Sequence, residues 1–514
     1  MVYKVFSGRV GGIFGDLITV EVDASAGLPC FEMIGLLGSE VREAKERVRV
    51  ALKNNGINIP AMRITVNLSP ADEHKQGSAF DLPIAVAILG VFGHIKEFNK
   101  EDTLIIGELS LDGDIRPVRG ILPIVSMAHQ KGFKRVILPR ENAPEGALIK
   151  EVDIIPVSQL CEVISYLSLP AEAADIQIEP YIGEDYEHKL PDYSGLDFSD
   201  VCGQENAKRA AMIAAAGFHH LLFTGPPGTG KSLIAKRIPG IMPSLSYDEC
   251  LEVTTIYSVA GLLNESRPFV KERPFWSPHH GASAQSITGG GLNVTPGLVS
   301  LSHRGILFLD EIPEFKRNTI DLLRQPLEDG TITVSRVKGS VKYPAGFMLV
   351  AAMNPCPCGY YPDRNRCNCT QTAIDRYLAK LSGPIMDRID ICVDVARIDP
   401  SEIEEGNVNG GLSSEEMRKM VEDAVNIQKN RYKDENFFYN SQIPSSKIEK
   451  YILLGEKEKR YILNLYNKMN LSMRSYYKVM RVARTIADLE KSEAVLVRHL
   501  AEASCYRFPD YMKR

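Results

Sequence analysis

The chain has 514 residues, 44% of them hydrophobic and 24% charged, with a formal net charge of −5. That length exceeds what a single core fills, so about two to four globular domains are expected. The acidic balance excludes a basic coat over the whole surface and confines any nucleic-acid contact to a local patch, such as a pore. No apolar run reaches bilayer length; Leu82 to Phe92, among the longest, fits a core helix, so no membrane partner is expected. The opening Met1-Val2-Tyr3-Lys4-Val5 lacks a signal-peptide layout, which points to the cytoplasm. Ten cysteines, scattered except for one cluster, argue against a disulfide framework.

Residues 1–170 alternate strand-like and helix-like patterns. Leu17 to Val22 and Ile64 to Leu68 read as strands, and Ser39 to Asn55 carries apolar residues at Val41, Ala44, Val48, Val50 and Leu52 with helical spacing. Leu104 to Ser110 followed by Asp112-Gly113 predicts a hairpin, and Val136 to Pro139 a buried strand. The whole is an α+β domain with its own core. Residues 171–195 then turn acidic and poor in aliphatic side chains, as in Gly183-Glu184-Asp185-Tyr186-Glu187, and read as a tether between domains or a solvated loop within one.

Globular patterning resumes over 196–398. Gly225-Pro226-Pro227-Gly228-Thr229-Gly230-Lys231-Ser232 has the form G-x-x-x-x-G-K-[ST], with the apolar run Leu221 to Thr224 before it and a helical pattern after it. Glycines let the backbone close round an anion, and successive N–H groups at a helix start supply positive potential. Lys231 reaches the β- and γ-phosphates and the Ser232 hydroxyl ligates Mg²⁺, so this stretch binds a nucleoside triphosphate. A chance glycine-rich turn would not come with both flanking elements. Further on, the apolar run Ile306 to Leu309 ends in Asp310 and Glu311. There Asp310 serves Mg²⁺ and Glu311 orients and deprotonates the attacking water.

Between these motifs Phe269 to His280 leads into Gly289-Gly290-Gly291. Neighbouring His279 and His280 rarely share one ion, so loop contacts are favoured over a metal there. Thr331 to Tyr343 alternates about a Lys-Gly turn and predicts a β-hairpin with Arg336, Lys338 and Lys342 as positive charges, either for DNA or as a solvated basic hairpin. Phe347 to Asn354 is a third buried strand, with Asn354 at the C-terminal end where ligands gather in parallel sheets, or else capping a turn before Pro355. Cys356, Cys358, Cys367 and Cys369 form two C-x-C pairs flanking eight residues, a tetrahedral set for structural Zn²⁺ or free thiols in a loop. Residues 399–514 are helical in pattern: Ser414 to Tyr432, Lys447 to Leu454, Glu458 to Met469, Ser472 to Glu490 and Ser492 to Cys505.

Three early stretches, Val41 to Val48, Lys75 to Pro83 and Gly107 to Gly120, resemble the Lon-protease-type domain at the front of ComM/YifB proteins, the magnesium-chelatase-like AAA+ ATPases. The resemblance extends over nearly the whole chain, including Phe269 to Gly291. It implies a Lon-like α+β front domain of the ribosomal S5 domain 2-like type, an AAA+ P-loop α/β core and a C-terminal helical lid of the magnesium-chelatase type. Asp200 to Ala216 resembles the segment that covers adenine, Asn354 the sensor-1 residue, Arg388 in Pro384 to Asp390 the arginine finger, and Arg474 the sensor-2 arginine, with Arg481 and Arg484 as competitors. Ser78 lies near the place of the Lon serine, but Leu122 stands where the lysine belongs, and an aliphatic side chain takes no proton.

What the resemblance implies is a homo-hexameric ATPase ring whose hairpins grip DNA, and for the ComM branch a branch-migration helicase serving natural transformation. Two rivals are a chelatase-type motor without a DNA substrate and an ATP-dependent protease. The first lacks a front domain of this kind, and Leu122 weakens the second.

Overall fold

The computed structural model describes residues 2–72, 74–95, 100–168, 178–184, 186, 195–291, 294–336, 339–397 and 411–507. Strands β1 (Tyr3–Gly11), β2 (Phe14–Ser25), β3 (Cys30–Ile34), β4 (Arg63–Ser69) and β5 (Thr103–Ile105) enter the first sheet. A small hairpin of β6 (Glu108–Leu109) and β7 (Ile115–Arg116) follows, and β8 (Arg135–Pro139) and β9 (Asp153–Val157) complete the sheet in the order β3-β4-β2-β1-β5-β8-β9. Side chains alternate between two covered faces, as period-2 strands require. Ile18, Val20, Val22, Ile105 and Ile137 pack under the helices Ser39–Asn54 and Asp81–Val91. Leu104, Val136 and Leu138 pack instead under the helix Ile121–Gln130.

The expected hairpin from Leu104 splits in two. Leu104, Ile105 and Ile106 are all fully buried, and β5 is a central strand parallel to β1 and β8. A strand buried on both faces reads as a continuous apolar run rather than an alternating one.

The second sheet is wholly parallel. Its strands are β10 (Leu221–Thr224), β11 (Phe275–Trp276), β14 (Ile306–Leu309), β17 (Met348–Met353) and β18 (Ile391–Asp394), in the order β11-β14-β17-β10-β18. Two short antiparallel pairs hang from it, β12 (Gly289–Gly290) with β13 (Thr295–Pro296), and β15 (Thr331–Arg336) with β16 (Gly339–Pro344). Helices Ser414–Arg431, Glu456–Lys468, Met473–Leu489 and Val497–Cys505 form the C-terminal region and share one core with this sheet. Two helices are shorter than their patterns. Lys447 to Leu454 gives only a 3₁₀ turn and Ile448–Tyr451, because Ile452 leaves helical geometry to bury its side chain. The last helix begins at Val497 because the Arg484 guanidinium claims the Ser492 and Glu493 carbonyls. Among the described residues no helix is long and apolar enough to cross a membrane.

The front sheet docks on the core through the Ile121–Gln130 and Tyr247–Ala260 helices. Leu122 and Leu148 share an apolar cluster with Cys250 and Phe269. Glu145 accepts from the Leu122 N–H at 2.8 Å and from the Ser258 hydroxyl, and the Gly120 N–H donates to the Ser258 carbonyl at 3.2 Å. Farther along, Ile13 at the β1–β2 turn packs on the cluster that holds Ile332, Val334 and Tyr343 of the basic hairpin.

Candidate active site

Three adjacent parallel strands set the site. Thr224 pairs with Met353 and Leu309 with Ala351, so Gly225, Asp310 and Asn354 leave the same edge of the sheet. The loop after β10 needs glycine at its first position: Gly225 has φ +153, and a Cβ there would sit 2.2 Å from the Val395 carbonyl oxygen. Gly228 and Gly230 also carry positive φ, and the helix Lys231–Ile241 starts directly after them. Pro226, Pro227 and Thr229 complete the turn, with the Thr229 hydroxyl donating to the Pro226 carbonyl at 3.0 Å. Lys231 is nearly buried and its Nζ donates to the Gly225 and Pro226 carbonyls, each at 2.7 Å, and to Asn354 Oδ1 at 3.2 Å. Burial lowers its pKa, and the charges of Asp310 and Glu311 oppose that shift.

Ser232 Oγ donates to Asp310 Oδ2 at 2.7 Å. This hydroxyl–carboxylate pair is the oxygen donor set a hard cation such as Mg²⁺ takes, and the ammonium beside it suits a polyphosphate, so the residues fit both groups. Glu311 is exposed and held at φ +48, a left-handed conformation that costs a non-glycine residue about 1–3 kcal/mol and marks functional sites. Sequence reasoning missed Asp394 at the end of β18, whose carboxylate accepts from the Thr224 hydroxyl. Nothing in the local pattern of β18 announces that pairing.

Arg388 and Arg474 meet elsewhere. Both guanidinium groups pair with Glu328, Arg474 at 3.1 Å. Arg388 precedes β18, whose first residue pairs with Leu221 at the start of β10, so it lies at the opposite edge of the sheet from Gly225. Of the competing arginines, Arg481 donates to the Ile443 carbonyl at 2.6 Å and Arg484 is buried against Asp488, both inside the helical region.

In the basic hairpin, Ile332, Val334 and Tyr343 face inward, while Lys342 is exposed. Arg336 ends β15 opposite Gly339, and the expected contact at Lys338 lies outside the described residues. The Sγ atoms of Cys356, Cys358, Cys367 and Cys369 all lie within 4.8 Å of one another. The imidazoles of His279 and His280 lie 4.0 Å apart, tilted by 35°, on an exposed loop, and no third ligand joins them among the described residues. In the front sheet, Ser78 Oγ donates to the Glu108 carboxylate, while Leu122 is 1% exposed within the docking contact.

Residues 197–403 match the family described as magnesium chelatase, subunit ChlI, residues 20–142 match subunit ChlI of Mg-chelatase, and residues 411–507 match its C-terminal region. Competence protein ComM of Haemophilus influenzae is 39% identical over 508 residues, covering 98% of this chain and 97% of that protein. YifB of Salmonella typhimurium is 40% identical, covering 97% of this chain and 96% of that protein. A shorter likeness, 29% identity over 143 residues, links 27% of the chain to 14% of the archaeal Lon protease of Pyrococcus abyssi. With this coverage, and with the Asn354 strand lying between the Asp-Glu strand and the P-loop strand, the chain belongs to the ComM/YifB family of magnesium-chelatase-like AAA+ ATPases.

Proposed function

We propose that the protein is an ATP-hydrolysing homo-hexameric ring that moves DNA, acting as a branch-migration helicase in recombination or natural transformation. The observation that carries the ATPase reading is the convergence of Lys231, Ser232, Asp310 and Asn354 on one sheet edge. Gly225 to Lys231 cradle the phosphates, and Ser232 with Asp310 hold Mg²⁺. That ion, when bound, offsets charge on the transferring phosphoryl group. Glu311 takes a proton from the attacking water, and Asn354 positions it. Arg388 serves a neighbouring subunit's nucleotide, a reading supported by its place at the sheet edge away from its own P-loop, and Arg474, paired with the same Glu328, is the sensor-2 arginine. The division into a Lon-like domain (1–170), linker (171–195), AAA+ core (196–398) and helical lid (399–514) goes with this reading.

DNA as substrate is supported by the basic hairpin and by the family likeness. Arg336, Lys338 and Lys342 contact phosphates, so affinity falls steeply with salt although the whole chain is acidic. The four thiolates hold a structural Zn²⁺. Phosphate release with no DNA, single-stranded DNA and forked DNA tests the function, with an Arg336, Lys338 and Lys342 triple alanine variant alongside. Stimulation that the triple variant loses supports a DNA motor. Hydrolysis indifferent to all DNA would place the protein with chelatase-type remodelling ATPases instead.

A further inference from the structure

Residues 355–370 join β17 to the helix Gln371–Leu378 and form neither helix nor strand. Loops of that length without secondary structure are uncommon in a compact domain and are usually functional. The N-terminal part of this loop touches the nucleotide site at two points. It starts directly after Asn354, whose side chain accepts from Lys231. Its Gly359, at φ +85, packs on the P-loop so closely that a Cβ would lie 2.5 Å from Pro227 Cδ.

Turn hydrogen bonds such as Cys367 N–H to the Asp363 carbonyl fold the loop locally, and the thiol cluster joins its two halves. Cys356 and Cys367 are buried, and three sulfur pairs stand at 3.3, 3.6 and 3.7 Å. Thiol hydrogen bonds are weak, so they do not by themselves tie a loop down. Sulfurs each about 2.3 Å from one zinc stand about 3.8 Å apart at the corners of a tetrahedron. The observed spacings are close to that geometry.

We propose that metal occupancy of Cys356, Cys358, Cys367 and Cys369 controls ATP turnover, by holding Asn354 and Gly359 in place against Lys231 and Pro227. The proposal rests on the readings that these thiolates hold zinc and that the P-loop hydrolyses ATP. An empty site frees the segment from Asn354 to Gly359, so the roof over Pro227 and the Asn354 amide lose their fixed positions together. Misplacement of a positioning group by about 1 Å costs on the order of 10²-fold in rate.

The test uses the full-length protein with Mg²⁺ in excess and follows zinc content, binding of a fluorescent ATP analogue and phosphate release. Measurements are made before treatment, after a zinc-selective chelator and after zinc is restored. The expected result is about one zinc per chain, turnover down about 10²-fold on removal, and recovery on restoration. Zinc removed with turnover unchanged overturns the coupling and leaves the metal site standing. No zinc bound, even after addition, overturns the metal reading and the proposal with it. No phosphate release by untreated, zinc-loaded protein overturns the ATPase reading. Should the stripped chain unfold, Gly359→Ala decides: it keeps all four thiols, and we expect full zinc content with ATP affinity or turnover reduced about tenfold. Unchanged binding and turnover in that variant overturn the proposal.

Discussion

Lys231 Nζ stands 3.2 Å from Asn354 Oδ1, joining the phosphate loop to the strand beside it. The same ammonium also holds the Gly225 and Pro226 carbonyls. The two carbonyls are the partners that a bound phosphate would compete with for the ammonium. Removing each end of this contact should therefore give different defects. Lys231→Ala should lose ATP binding and turnover together. If the amide positions the attacking water, Asn354→Ala should keep binding within a few-fold and lose turnover. Equilibrium binding of a labelled ATP beside steady-state phosphate release separates the two.

Arg388 and Arg474 share Glu328 at the edge of the sheet opposite the P-loop. If Arg388 serves a neighbour's phosphate, Arg388→Ala should cost roughly 10³-fold in turnover while its own P-loop binds ATP normally. Mixing that variant with Lys231→Ala subunits should restore part of the activity, since mixed rings contain intact interfaces. No rescue in rings shown to form would count against action between subunits.

Leu122, expected at the place of a Lon lysine, has a structural task. It is 1% exposed and packs with Leu148, Cys250 and Phe269. Leu122→Ala should destabilise the docked pair by about 2–5 kcal/mol, read as a lower denaturation midpoint. Neither the parent nor the variant should cleave casein. Peptide release that depends on Ser78 would overturn this reading.

Two histidines, His303 buried and His220 half-buried, make the parallel sheet acid-sensitive. His220 Nδ1 accepts from the Leu349 N–H and His303 Nδ1 from the Gly346 N–H, each at 3.0 Å. Burial pushes the His220 pKa down from 6.5 to about 4, with His219 and Lys478 adding to the shift and Asp390 opposing it. Burial lowers His303 too, against Glu252. The unfolded chain then binds more protons between about pH 4 and 6.5, so stability is full above that window and falls as pH drops through it. For His220 the loss reaches at most about 3 kcal/mol. His220→Asn keeps an acceptor for Leu349 without the titration, and chemical denaturation across that window should show a shallower slope.

Much of this was legible because it is local. The P-loop, the Asp310-Glu311 strand end and the hairpin are each written within about a dozen consecutive residues, where spacing alone fixes backbone shape. The β5 strand was misread because a run buried on both faces carries no period. Contacts between distant segments were silent. Ser258 on Glu145, Gly359 on Pro227 and Glu328 between two arginines join residues by tertiary packing, which no single stretch encodes. Leu122 was legible as a missing base, but its docking role needed Cys250 and Phe269 beside it.

Glu311 is the residue on which the motor reading turns. It is held at φ +48 beside Asp310, exposed where water can reach it. The direct test is phosphate release by the parent chain and by Glu311→Gln, each with and without forked DNA, at one salt concentration. The parent should hydrolyse ATP and be accelerated by the fork. Glu311→Gln should bind ATP as tightly, yet release phosphate on the order of 10²–10⁴-fold more slowly under both conditions. Normal turnover by Glu311→Gln, or a parent rate that forked DNA leaves unchanged, would contradict the account.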